Sequence, residues 1–323
     1  MRALTIERRL SDGYRHAALR QDVLDGLSAS PKHLRPVWFY DAVGSALFDD
    51  ITRLPEYYPT RAEREILADR AGEIARLTLA GTLVDLGSGS SAKTRLLLAA
   101  LREAASLALY VPVDVSDTAL AAAADGLRSD SPDLAIHAVQ ADFGAQLTAL
   151  PRDGRCLVAF LGGTIGNLPP AERAVFLRDV RRALVPGDAL LLGADLVKDP
   201  AVLVAAYDDA AGVTARFNRN VLRVLNRELG ADFDLGGFAH VARWVAGREW
   251  IEMRLRSVRR QVVSLPGAGL VVTFGAGEEM RTEISAKFRP EGVRTELAAG
   301  GFPLTRWWTD RAGRFGVALS IVE

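Results

Sequence analysis

The sequence has almost none of the residues that build disulfide or thiolate–metal chemistry. Among 323 residues there is one cysteine, Cys156, which cannot form an internal disulfide or by itself build a thiolate zinc site. The four histidines, His16, His33, His137 and His240, lie far apart without metal-ligand spacing. An excess of charge of one sign is also missing. Forty Lys and Arg offset forty Asp and Glu, so nothing supports a general attraction to nucleic acid or anionic lipid. No run approaches the roughly 18 apolar residues of a membrane span, and the opening residues hold no apolar core of signal-peptide type. These absences point to a soluble, cytoplasmic chain without a metal.

What is present is ordinary globular composition, 49% hydrophobic and 25% charged, which excludes wholesale disorder. The length calls for one large or two modest domains. Residues 1–60 are mixed and carry Trp38-Phe39-Tyr40, then Pro55-Glu56-Tyr57-Tyr58-Pro59. Prolines on both sides of two tyrosines predict a fixed, non-helical loop. Thr60 with Glu63 three residues on reads as a capping box for the helix that follows.

From Gly81 a strand–helix alternation begins. Apolar runs at 82–86, 110–114, 134–140, 156–161 and 189–195 read as buried strands. Helices are expected over 92–105, from about Asp117, and from Pro170. Near-continuous apolar strands between helices predict a parallel sheet covered on both faces, and right-handed crossovers make it doubly wound. After Asp195 the pattern turns mainly helical to about residue 240. It then alternates as antiparallel strands from Arg248, with a terminal strand at Val317–Val322. The expected division is a nucleotide-type α/β domain over residues 61–195 and a second, discontinuous α+β domain from 1–60 and 196–323. The cleft between them is the natural place for a ligand.

The turn Asp85-Leu86-Gly87-Ser88-Gly89-Ser90-Ser91-Ala92-Lys93-Thr94 admits three cofactors. A phosphate-binding loop has the right length, but Ala92 stands where the second glycine belongs. Dinucleotide binding fits Gly87, Gly89 and Ala92, with Asp114 as the acid for a ribose. S-adenosylmethionine uses three strand ends: the Gly turn for its amino-acid end, Asp114 for the ribose hydroxyls, and Asp142-Phe143 for the adenine. That reading also explains Asp85, an acid inside an apolar strand, as a support for the turn. Methyl transfer is therefore favoured, with a nicotinamide-dependent oxidoreductase and a non-catalytic cofactor-binding module as alternatives. Taken singly, each acid could be a solvated strand end, and each tyrosine a core aromatic with a satisfied hydroxyl.

A longer set of residues resembles a known family. Trp38-Phe39-Tyr40-Asp41, Leu54 to Arg61, Asp85 to Gly89, Gly163-Thr164-Ile165-Gly166-Asn167, Phe217-Asn218-Arg219-Asn220, Glu278-Glu279-Met280, Glu283-Ile284-Ser285 and Lys287-Phe288 are similar to the histidine-specific Nα-methyltransferases of ergothioneine biosynthesis. The resemblance runs from about residue 20 to the end. It implies a class I, Rossmann-like S-adenosylmethionine-dependent methyltransferase domain with a second α+β substrate-binding domain. It implies trimethylation of the α-nitrogen of L-histidine to hercynine. Cofactor contacts are implied at Gly87, Lys93, Asp114, Asp142 and Phe143. Histidine contacts are implied at Tyr57, Gly162, Asn167, Tyr207, Met253, Glu283 and Ser285, with Tyr40 near the transferring methyl. Tyr40, Tyr57 and Asn167 act by positioning, with no dedicated base. Gly163 and Ala286 replace Ser and Cys of some relatives, beside those positions. The implied partners are histidine and its mono- and dimethylated forms, with no nucleic acid or membrane, and the chain is expected to act as a monomer.

Overall fold

The computed structural model describes residues 4–10, 13–88, 93–115, 120, 127, 133–141 and 150–323. The chain divides into two compact units, one of Met1–Leu10, Pro59–Val197 and Lys287–Glu323, the other of Ser11–Tyr58 and Lys198–Ala286.

The first unit is built on an eight-stranded sheet of β1 (Leu4–Arg8), β2 (Thr82–Leu86), β3 (Leu109–Asp114), β4 (Ala135–Gln140), β5 (Cys156–Phe160), β6 (Ala189–Asp195), β12 (Leu304–Thr309) and β13 (Phe315–Ile321). Their order is β1-β4-β3-β2-β5-β6-β13-β12. Strands β1 to β6 pair in parallel, and β13 runs antiparallel to both β6 and β12. Every residue of β2, β5 and β6 is buried, as expected of strands covered on both faces. On one face lie α3 (Pro59–Thr78) and α4 (Thr94–Glu103), whose Ile66, Leu67, Leu97 and Leu101 pack with Leu83, Leu157 and Leu191. On the other, Phe176 of α5 (Pro170–Ala183) meets Phe160 with ring centroids 4.5 Å apart.

This is the doubly wound, Rossmann-like sheet that the alternation predicts. Its strand order reverses direction between β2 and β5, which places the ligand crevice of such sheets beyond the carboxyl ends of those two strands.

The second unit holds α1 (Tyr14–Ser28), α2 (Ala42–Arg53), α6 (Pro200–Ala205), α7 (Val213–Leu229) and strands β7 (Phe238–Val245), β8 (Trp250–Ser257), β9 (Gln261–Leu265), β10 (Leu270–Phe274) and β11 (Glu279–Ala286). The strands form an antiparallel sheet β11-β8-β7 and a separate β9–β10 ribbon. Helix α7 is strongly amphipathic. Val213, Phe217, Val221, Leu222, Val224, Leu225 and Leu229 face the unit's core, and Gly230 ends the helix at φ 61°.

The observed units differ from the expected boundaries at both ends of the chain. Leu4–Arg8 pairs with β4, and 287–323 supplies β12, β13 and α8 (Pro290–Ala299) to the first unit. Hydrophobicity explains the second difference, because Phe315 to Ser320 is buried throughout and fills the place beside β6. Local structure corrects one further reading. Helix α3 starts at Pro59, with its fixed φ suited to a first helical position, so Thr60 is inside the helix and does not cap it. The helix expected from Asp117 falls mostly outside the described residues.

Candidate active site

The first group of site residues lies at the carboxyl ends of β2, β3 and β5. Gly87 takes φ 71°, a conformation open to glycine, and its N–H donates to Val113 O at 2.8 Å. Beneath it, the buried Asp85 Oδ2 accepts from Thr94 Oγ1 (2.7 Å) and Tyr110 OH (3.0 Å). This ties the strand end to the start of α4, the supporting role expected of an acid in an apolar strand. Asp114 closes β3, half-buried and in register with Gln140. Asp142 and Phe143 lie outside the described residues.

Burial pushes the Asp85 carboxyl up to about 6, against the two hydroxyl donors that favour its ionised form. The native state therefore keeps a proton that the unfolded chain has lost, and stability falls as pH rises from about 4 to about 6. Asp85→Asn, whose amide oxygen can accept from the same hydroxyls, is expected to gain on the wild type across that window. The gain should be on the order of 3 kcal/mol. Urea unfolding of both proteins at pH 4, 5, 6 and 7 measures the difference, and a constant difference would refute the assignment.

Lys93, expected to face the cofactor, forms an ion pair with Glu63, and Glu63 is a residue whose site role sequence reasoning missed. Its fully buried carboxylate also accepts from Gly162 N at 2.8 and 2.9 Å. One side chain of α3 thus fastens the start of α4 to the turn after β5. A Cβ on Gly193 would lie 2.1 Å from Glu63 Oε1, so β6 needs a glycine where the carboxylate crosses it. The signal was present: Glu63 stands in the apolar stripe Ala62, Ile66, Leu67, Ala71, Ile74. Gly162 and Gly163 follow β5 with φ 79° and 68°, and Asn167 sits half-buried at the end of the 3-10 turn Thr164–Asn167.

The second group belongs to the other unit. Tyr40, Phe48, Tyr57 and Tyr207 form a chain of edge-on rings with centroids 5.7, 6.1 and 6.3 Å apart. Tyr207 OH lies 2.7 Å from Ser285 Oγ on β11. Glu283 stands two residues before Ser285, on the same face of the strand, and directly opposite Met253 of β8. An irregularity between Arg281 and Glu283 sets that register. Tyr57, Tyr207, Met253, Glu283 and Ser285 are all buried. A face carrying a carboxylate and two hydroxyls beside aromatic rings suits a small ligand that carries hydrogen-bond donors.

Residues 19–321 match the family described as "Histidine-specific methyltransferase, SAM-dependent". The chain belongs to this family. It is 56% identical over 317 residues to the histidine N-alpha-methyltransferase of Mycobacterium tuberculosis, covering 98% of this chain and 99% of that protein. It is 57% identical over 304 residues to the histidine N-alpha-methyltransferase of Mycolicibacterium smegmatis, covering 94% and 95%. It is also 34% identical over 289 residues to the ergothioneine biosynthesis protein 1 of Neurospora crassa, covering 86% of this chain and 32% of that protein. Gly87 and Asp114 stand at the carboxyl ends of β2 and β3, the edge at which open α/β sheets bind ligands. The left-handed Gly87 lets a ligand approach the backbone, and the Asp114 carboxylate can accept hydrogen bonds from hydroxyls. No helix among the described residues is long and apolar enough to cross a membrane.

Proposed function

We propose that this methyltransferase adds three methyl groups in succession to the α-amino nitrogen of L-histidine. The product is hercynine, and the reaction is the first step of ergothioneine biosynthesis. The observation that carries the reading is the near-full-length identity to two mycobacterial histidine N-alpha-methyltransferases. The polar face of Tyr207, Glu283 and Ser285 supports it. The family match leaves the nicotinamide alternative without support.

S-adenosylmethionine, when bound, supplies a methyl carbon on a sulfonium. Gly87, Lys93, Asp114, Asp142 and Phe143 hold it in this reading. The chain's remaining task is to present a nitrogen with a free lone pair. An α-amine in a peptide terminus has an ordinary pKa of about 7.7–8.0 and that of a free amino acid lies higher, so the site takes up the neutral amine or lets its proton leave. Each transfer would exchange one N–H proton for a methyl group as the carbon–sulfur bond breaks and a neutral thioether departs, and the chain's part is to hold nitrogen and carbon in line. Asn167 and the backbone at Gly162 hold the amino-acid head group, and the Tyr57 hydroxyl donates to its carboxylate. Glu283 accepts from the imidazole N–H, while Ser285 and Tyr207 serve the other ring nitrogen and the carboxylate side. Met253 packs beside the ring. Tyr40 offers an aromatic face to the positive charge that accumulates with methylation. Recognition by buried polar groups rejects amino acids that would leave them unpaired. The enzyme acts in the cytoplasm as a monomer on small molecules, without metal, nucleic acid or membrane.

Mass spectrometry of a reaction containing the protein, S-adenosylmethionine and histidine is expected to show products carrying one, two and three methyl groups. Equal transfer to another free amino acid would overturn the substrate, and binding of both ligands without product would favour a non-catalytic module.

A further inference from the structure

The run Phe217-Asn218-Arg219-Asn220 and the histidine of β7 have no part in the reading above, yet they meet behind its polar face. Asn218, fully buried on α7, makes three contacts through its amide. Its Nδ2 lies 3.0 Å from Arg254 O and 2.8 Å from His240 Nδ1. Its Oδ1 accepts from Thr282 Oγ1 at 2.6 Å, and the same hydroxyl lies 3.1 Å from Met253 O. His240 Nε2 lies 2.8 Å from Tyr207 O.

These partners fix the protons. Turning the Asn218 amide over would set its oxygen against the carbonyl of Arg254, so Nδ2 must be the atom facing that carbonyl. Nδ2 therefore also donates to His240 Nδ1, which must carry a lone pair. His240 Nε2 then carries the proton and donates to Tyr207 O. The arrangement requires a neutral imidazole with its proton on Nε2.

The two ends of this chain are the residues of the substrate face. One end is the backbone of Tyr207, whose hydroxyl meets Ser285. The other is Thr282, which occupies the irregularity just before Glu283, donates its hydroxyl proton to Asn218 and lies 3.1 Å from Met253 O. We propose that Asn218 and His240 are positioning residues for substrate recognition. They hold Tyr207 and the β11 irregularity in the register that presents Glu283 and Ser285, and protonation of His240 releases that register. The inference rests on the histidine-binding reading given above.

Protonating Nδ1 would point an N–H at the N–H of Asn218, a clash of donors inside a site where the His240 side chain is 2% exposed. Burial holds this imidazole below its ordinary 6.5, with Arg219 of α7 acting the same way. Asp208, 3.9 Å from Nε2, and Asp209 act against it. On β8, the Arg254 guanidinium is engaged with Glu252 and Glu279.

The test compares wild type, His240→Gln and His240→Leu by calorimetric titration of histidine and of S-adenosylmethionine, with methylation rates beside them. A glutamine keeps a donor near the Nε2 position and an oxygen that can accept from Asn218, but it does not titrate. H240L is expected to weaken histidine binding roughly tenfold and to leave cofactor affinity within about twofold. H240Q is expected to restore most of the loss. As pH falls from 7 to 5, histidine affinity should drop more steeply for wild type than for H240Q. The substrate's own titration is common to both and cancels in the ratio. Unchanged histidine affinity in H240L, or a wild-type to H240Q ratio constant with pH, would overturn the proposal. A parallel loss of both ligands in H240L would do the same. The pH comparison stands alone should H240L fail to fold. Failure of the wild-type protein to methylate histidine would overturn the functional reading and this inference together, whereas full wild-type activity with an indifferent H240L would overturn this inference only.

Discussion

Gly193→Ala is expected to destabilise the protein by roughly 3 kcal/mol, at the upper end for adding one methyl group to a packed interior. The added carbon would stand 2.1 Å from Glu63 Oε1, and that carboxylate has nowhere to retreat. It is fully buried, accepts from Gly162 N and is paired with Lys93. Glu63→Ala is expected to cost about as much, for a different reason. It leaves Gly162 N–H without its acceptor and Lys93 without its counter-charge. The two substitutions should not add. Alanine at both positions lets the new methyl group occupy space that the carboxylate vacates, so the double variant should be at least about 1 kcal/mol more stable than the sum predicts. Phe315, 3.2 Å from the same added carbon, limits the recovery. Urea unfolding of the four proteins closes the cycle. Strict additivity would mean that the carboxylate does not cross β6 at Gly193.

The second large effect is expected at the substrate face. Glu283→Ala should weaken histidine binding by about 10- to 100-fold, the range for a hydrogen bond to a charged acceptor. Affinity for S-adenosylmethionine should stay within about twofold. Glu283→Gln keeps an acceptor oxygen without the charge and should fall between the two. Calorimetry with each ligand separates the outcomes. Equal weakening of both ligands would show that Glu283 maintains the fold and does not recognise the ring.

The strand ends of the first unit were legible because parallel strands are contiguous apolar runs, and residues that interrupt them stand out. Asp85, Gly87 and Asp114 announced themselves in this way, and the structure places all three at the carboxyl edge of the sheet. Glu63 was misread because the local pattern with Thr60 offered a complete explanation three residues long. Its actual partners, Lys93 and Gly162, are 30 and 99 residues away. His240 illustrates the same limit. Its spacing suggests no metal ligand, and its contacts tie it to α7 and the segment before α7, which no local pattern connects. The tyrosines were nominated by resemblance. Periodicity alone gave no reason to join Tyr40 to Tyr207, which the ring contacts through Phe48 and Tyr57 now do.

The reversed strand β13 has a consequence for how the chain is made. Until residues 315–321 leave the ribosome, β6 presents an unpaired row of amides and carbonyls, and the whole of 198–286 must emerge in the meantime. The open margin is a standing invitation to pair with another nascent chain. Shortening the protein by even its last dozen residues should therefore yield insoluble material, although every group assigned to ligands would still be encoded.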